Sequence, residues 1–146
     1  MKKILVMGLP GVGKTTLANH LAQMLGAVHL NADEIRKEIH KDLGFSIEDR
    51  IEHSRRMGVL CDIVARSDNY VIADFVCPTF ATRKAFGADF FMIFIDRKPC
   101  RHYPDTTKLF EPPLTPDLVV TEGGSPALWA EVAAKMILSE QNHYDI

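Results

Sequence analysis

The chain has 146 residues, 47% of them hydrophobic and 25% charged, with a formal net charge of −2. That length supports one domain around one core, expected over residues 1–146. The charge balance has neither a basic excess for nucleic acid nor a block of like charge for a membrane surface, and no apolar run could span a bilayer.

Cys61, Cys77 and Cys100 form no CxxC pair and the six histidines lack metal-ligand spacing, so reduced thiols, a cytoplasmic protein and no structural metal are expected. The opening MKKILVMGLPG has a basic start and a short apolar run, yet continues directly into a glycine-rich loop, unlike a cleaved leader.

In chain order, KILVM at 3–7 predicts a strand and 14–25 a helix. Between them GLPGVGKT, from Gly8 to Thr15, matches G-x-x-x-x-G-K-[ST] in the strand-to-helix setting that gives the motif meaning. Gly8, Leu9, Pro10, Gly11, Val12 and Gly13 would wrap a phosphate chain with backbone N–H groups, at the positive end of a helix. Lys14 would reach the β- and γ-phosphates, Thr15 would hold Mg²⁺ and Thr16 the α-phosphate. ATP with Mg²⁺ is therefore the expected ligand.

AVHL at 27–30 predicts the second strand, and a helix comes next over 33–40. Its junction, LNADEIR, puts Asn31 and Asp33 at a strand's carboxyl end, where parallel sheets gather their chemistry, with Arg36 one turn further. Asp33 could orient or deprotonate a hydroxyl, or merely be the N-cap of that helix, two roles that are compatible. KDLGFSIEDRIEH at 41–53 leads into a helix over 47–66 and offers Phe45, Arg50 and His53. Phe45 is either a stacking plate or a core plug. Arg50 is an anion clamp or the partner of Glu48 or Asp49.

YVIADF at 70–75 predicts a third strand, ending at Asp74, which serves either the Mg²⁺ shell or a capping role at the strand end. A helix over 79–86, a fourth strand FFMIFI at 90–95, a fifth strand DLVVT at 117–121 and a helix over 126–140 complete the alternation. The last helix carries Trp129, Val132, Ala133, Met136 and Ile137 on one stripe, read as core packing. Residues 97–116 hold five of the eight prolines and no helix or strand period, and are read as a short lid or a surface connection. Nearly continuous apolar strands alternating with helices predict an α/β, three-layer P-loop sandwich with a five-stranded parallel sheet.

In that order, LNADEIR, HKDLGFSIEDRIEH and ADFVCPTFATR behind a P-loop resemble the adenylylsulfate kinases, as do FID at 94–96 and LFEPPLTPDLVV at 109–120. The resemblance implies transfer of the γ-phosphate of ATP to the 3′-hydroxyl of adenosine 5′-phosphosulfate. It places Asp33 at the acceptor hydroxyl and in the metal shell, Arg36 and Arg50 on the phosphosulfate, and Phe45 on the adenine. His53, Phe75, Cys77, Arg83 and Phe110 fall on its acceptor side. Arg101 or Lys108 would supply the catalytic lid cation.

The departures are specific. The family's Asp-Gly-Asp reads Asn31-Ala32-Asp33, a closing Asn is His53, the Ser of its Ser-Pro is Cys77, and the basic lid is much shorter. The expected partners are ATP and a small acceptor, without nucleic acid or membrane, and with a homodimer left open. The rivals are a kinase of the same lineage with a nucleotide, nucleoside or polyol acceptor, and a nucleotide switch with slow hydrolysis.

Overall fold

Strand β1 (Lys3–Met7) is buried along its whole length because side chains on both of its faces are covered. Ile4 and Val6 enter one core cluster, while Leu5 and Met7 enter the other. Each is wholly buried, and burial of such a side chain contributes about 1.5–3 kcal/mol. The computed structural model describes residues 1–99 and 103–144. In chain order, helix α1 (Lys14–Leu25), β2 (Val28–Asn31), α2 (Ala32–Glu38), α3 (Ile47–Arg66) and β3 (Val71–Asp74) come next. Then come α4 (Phe80–Phe86), β4 (Phe91–Ile95), α5 (Pro104–Leu109), β5 (Leu118–Val120) and α6 (Pro126–Tyr144).

The strands form one parallel sheet in the order β2-β3-β1-β4-β5. Helices α1 and α6 pack together on one face, and α3 and α4 on the other, giving three layers. Because β1 lies between β3 and β4, the chain leaves it at the point where strand order reverses, which is where such sheets open a crevice for ligands.

Local signals account for the helix ends. Ser46 caps α3, its Oγ accepting from the Asp49 N–H, and Thr79 with Thr82 forms a capping box at α4. Helices α3 and α4 meet at Gly58, where an added Cβ would lie 2.1 Å from the Phe86 carbonyl oxygen. Any side chain there would drive the two helices apart. Lys3 closes the same corner from β1, donating to the Phe86 carbonyl at 2.7 Å and to Asp62 at 3.0 Å.

Three expectations are corrected. The proline-rich stretch contains helix α5, because Pro104 occupies the first turn, where a missing N–H costs nothing. The cap of α2 is Asn31, whose Oδ1 accepts from the Glu34 N–H at 3.0 Å, so Asp33 sits inside the first turn. On α6, Trp129, Ala133, Met136 and Ile137 pack in or against the core as expected, while Val132 is exposed. No helix among the described residues is long and apolar enough to cross a membrane.

Candidate active site

The loop between β1 and α1 turns on glycines with positive φ at Gly8, Gly11 and Gly13. Gly8 also allows a close approach: a Cβ there would lie 2.8 Å from the Ile95 carbonyl oxygen. Among the described residues, the N–H groups of Gly11 through Thr16 donate to no protein acceptor. They form a cradle suited to phosphate oxygens at a helix N-terminus. Lys14 folds back so that Nζ donates to the Leu9 carbonyl at 2.8 Å. Burial lowers its pKa to about 8 against the opposing pull of Asp74 and Asp33. A phosphate chain would replace that carbonyl with far stronger acceptors.

Below Thr15 lies Asp74, at the end of β3 and only 2% exposed. A carboxylate so buried costs several kcal/mol unless its oxygens are satisfied. Thr15 Oγ1 donates to Oδ1 at 3.2 Å, Asn31 Nδ2 reaches both oxygens at 3.2 and 3.3 Å, and His29 Nε2 donates to Oδ2. Asn31 and Asp74 stand opposite one another in the β2–β3 register. A hydroxyl over a carboxylate fits Mg²⁺, which takes few ligands from protein and several from phosphates and water.

The same cavity, about 910 Å³, continues from Lys14, Thr15 and Thr16 past Asp33 to Arg36, Phe45 and Arg50. Phe45 is 69% exposed. The Arg36 guanidinium lies 4.5 Å from its ring centroid and that of Arg50 5.6 Å. The turn is locked: Arg36 Nη1 donates to the Gly44 carbonyl at 2.8 Å and Arg50 Nε to the Phe45 carbonyl at 2.9 Å, while the Gly44 N–H donates to Asp49 at 2.8 Å. Among the described residues neither arginine is salt-bridged. Burial and then the neighbouring Arg50 lower the pKa of Arg36, as two cations held side by side must. An anionic ligand with a planar ring would relieve both the charge and the exposed aromatic.

His53, Ser54, Phe75 and Cys77 complete the cavity wall, and Tyr103, Pro104, Asp105 and Thr106 of the α5 segment line its other side. His53 Nδ1 pairs with His40 Nδ1 at 2.8 Å, and His53 Nε2 and Ser54 Oγ are buried without a hydrogen-bond partner among the described residues.

The sequence profile of the family described as Adenylylsulphate kinase matches residues 2–109. An adenylyl-sulfate kinase of Synechococcus is 32% identical over 139 residues, covering 77% of this chain and 79% of its own. The chain belongs to the adenylylsulphate kinase family. One from Paraburkholderia xenovorans is 30% identical over 84% of each chain. The Mycobacterium tuberculosis APS kinase CysC, solved in complex with AMPPNP and APS, superposes with a TM-score of 0.80 over 93% of this chain and 96% of its own. At 24% identity that likeness concerns the fold. A hexameric APS kinase from Thiobacillus denitrificans matches at 27% identity and a TM-score of 0.68, over 97% of this chain and 29% of that one. As a member of this family, the protein is an ATP-dependent kinase that uses Mg²⁺.

The adenylylsulphate kinase fold does not bring every expected residue to the cavity. Arg83 is 6% exposed and spends its guanidinium on the Cys77 carbonyl at 2.8 Å and the Glu111 carbonyl at 2.6 Å, with Phe80 over it at 4.9 Å. It joins α4 to the end of the lid. Phe110 stacks on Phe94 at 5.9 Å and packs against the core. Lys108 is exposed on α5 and does not line the cavity. Gly8, Leu9 and Val12 shape the loop from behind without lining it, Val12 being buried. Cys77 lines the wall but is fully buried, and burial pushes its thiol up to about 12, which rules it out as a nucleophile near neutral pH. Arg101 lies outside the described residues.

His29 is the residue that sequence reasoning missed in this kinase. Its signal was present: a histidine two positions before Asn31, in a strand otherwise read only for its apolar residues.

Proposed function

We propose that this kinase transfers the γ-phosphate of ATP to the 3′-hydroxyl of adenosine 5′-phosphosulfate, giving 3′-phosphoadenosine 5′-phosphosulfate. The observation that carries this reading is that one cavity joins the phosphate loop to Phe45 between two unbridged arginines. Nothing in a hydrolytic switch requires that second half, since water needs neither an aromatic plate nor an anion clamp.

The roles come from chemistry. Phosphoryl transfer needs positioning and charge stabilisation more than covalent help. The loop N–H groups and Lys14 would bind the β- and γ-phosphates. Thr15, with Asp74 and Asp33 behind it, would hold Mg²⁺, which supplies neutralisation of the phosphate charge. Asp33, exposed in the first turn of α2 and lining the cavity with Lys14, would orient the acceptor hydroxyl and take its proton. Arg36 and Arg50 would grip the phosphosulfate, and Phe45 would stack on the adenine. The α5 segment would roof the site and exclude water.

A second reading, a different small anionic acceptor, is supported by His53 at the cavity wall, where the resemblance would put an asparagine. A histidine there gives the wall a different shape from an asparagine. ADP release from MgATP, measured with adenosine 5′-phosphosulfate beside a panel of nucleotides, nucleosides and sugars, decides between them. Stimulation by adenosine 5′-phosphosulfate above the panel is expected. Stimulation by another compound alone would reassign the acceptor, and basal hydrolysis alone would favour a switch.

A further inference from the structure

Asn19, His29, Asp74 and Thr15 form a closed circuit. Thr15 and Asn19 are four residues apart, on one face of α1. From Asn19 the circuit passes to β2, where His29 Nδ1 pairs with Asn19 Oδ1 at 2.9 Å. From β2 it passes to β3, where His29 Nε2 meets Asp74 Oδ2. It returns to α1 where Thr15 Oγ1 donates to Asp74 Oδ1 at 3.2 Å. Both nitrogens of the imidazole have fixed partners, so the ring can neither flip nor turn without breaking a hydrogen bond. The Asp74 carboxylate is thereby held at Oδ2 from His29, while Oδ1 takes the Thr15 hydroxyl beside the Asn31 amide.

We propose that His29 is a positioning residue for the nucleotide's metal. Anchored on Asn19, it fixes the Asp74 carboxylate, and through it the Thr15 hydroxyl, in the orientation that metal-bound nucleotide requires. The inference rests on the reading that this loop binds nucleotide with Mg²⁺, and it is independent of which acceptor is phosphorylated. His29 itself does not line the cavity. Its effect would run entirely through the residues it holds, as outer-shell partners do in metal sites, where their loss typically costs about 10–100-fold in metal affinity.

Calorimetric binding of ADP with Mg²⁺ and of ADP with EDTA separates this role from a general loss of structure. His29→Leu should weaken MgADP about 10- to 100-fold and leave metal-free ADP unchanged. His29→Gln, which keeps an N–H donor on a side chain of similar reach, should recover most of the loss. Asn19→Ala, which frees the ring, should shift MgADP in the same direction by less. Equal weakening of both ADP forms in His29→Leu would overturn the inference, as would unchanged MgADP binding. If His29→Leu does not fold, the Gln and Asn19 variants carry the test: selective weakening by Asn19→Ala supports it, and wild-type MgADP binding in Asn19→Ala overturns it. A wild-type chain that binds MgADP yet ignores adenosine 5′-phosphosulfate would sink the proposed substrate and leave this inference standing.

Discussion

Asp74, at the phosphate-loop end of the cavity, is 2% exposed and takes hydrogen bonds from three side chains, whereas Phe45, at the proposed acceptor end, is 69% exposed between two arginines. At the phosphate end the carboxylate and the hydroxyl are tied to one another and to β2 by hydrogen bonds. At the proposed acceptor end the backbone is locked by hydrogen bonds, but the aromatic is exposed and neither arginine is salt-bridged among the described residues. The difference suits a kinase. Every turnover presents the same triphosphate, so that end gains from rigidity. Unsatisfied groups at the acceptor end discriminate, because a ligand that leaves two arginines unpaired gains little from binding.

Breaking the phosphate end should have the largest effect. Lys14→Ala removes the cation proposed to bind the β- and γ-phosphates, and kcat/KM for ADP release should fall by at least about 10²–10³-fold. Near-wild-type release would show that the loop does not bind the reacting phosphates. Breaking the acceptor end should be milder and selective. Arg50→Ala removes a charge-assisted interaction worth about 1.5–3 kcal/mol, so KM for the acceptor should rise roughly 10- to 100-fold while KM for ATP holds. An equal rise in both constants would mean that the two ends are not separate.

The two ends also differed in how far they could be read from sequence. The phosphate loop was legible because its function is carried by backbone N–H groups, which glycine spacing and a strand-to-helix junction largely determine. Asp33, Arg36, Phe45 and Arg50 were legible through ordered motifs, and they line one cavity. Arg83 was not, since an arginine that satisfies two carbonyls looks the same in sequence as one that waits for an anion. Phe110 failed for the same reason among aromatics. Helix α5 was hidden by Pro104 and the prolines around it, which read as breakers unless one happens to fall in a first turn. The circuit through His29 depends on contacts between residues 45 and 59 positions apart, set by register and helix placement.

The smallest expected effect sharpens the comparison at the wall between the two ends. His40 and His53 share one hydrogen bond between their Nδ1 atoms, 2.8 Å apart, with the rings edge to face. One Nδ1–H must donate to the other's lone pair, so the accepting ring must be neutral and the two cannot both be protonated without breaking the bond. Burial, then Arg36, His40 and Arg56, push the pKa of His53 down to about 3. Burial, followed by Arg56, lowers that of His40, with Arg36 adding to the shift and Asp42 and Glu52 opposing it. The unfolded chain takes up protons at its histidines near pH 6.5, before the folded one does. The stabilisation is therefore fully present above about pH 6.5 and is lost as pH falls from there toward 3. Between pH 7 and 5.5 the loss from His53 alone is about 1 kcal/mol, or roughly 3 °C in melting temperature for a domain of this size. His53→Asn keeps a polar partner for His40 and removes one titrating ring, so its melting temperature should fall less over that interval. An equal fall in wild type and variant would mean that this pair contributes nothing to the protein's acid sensitivity.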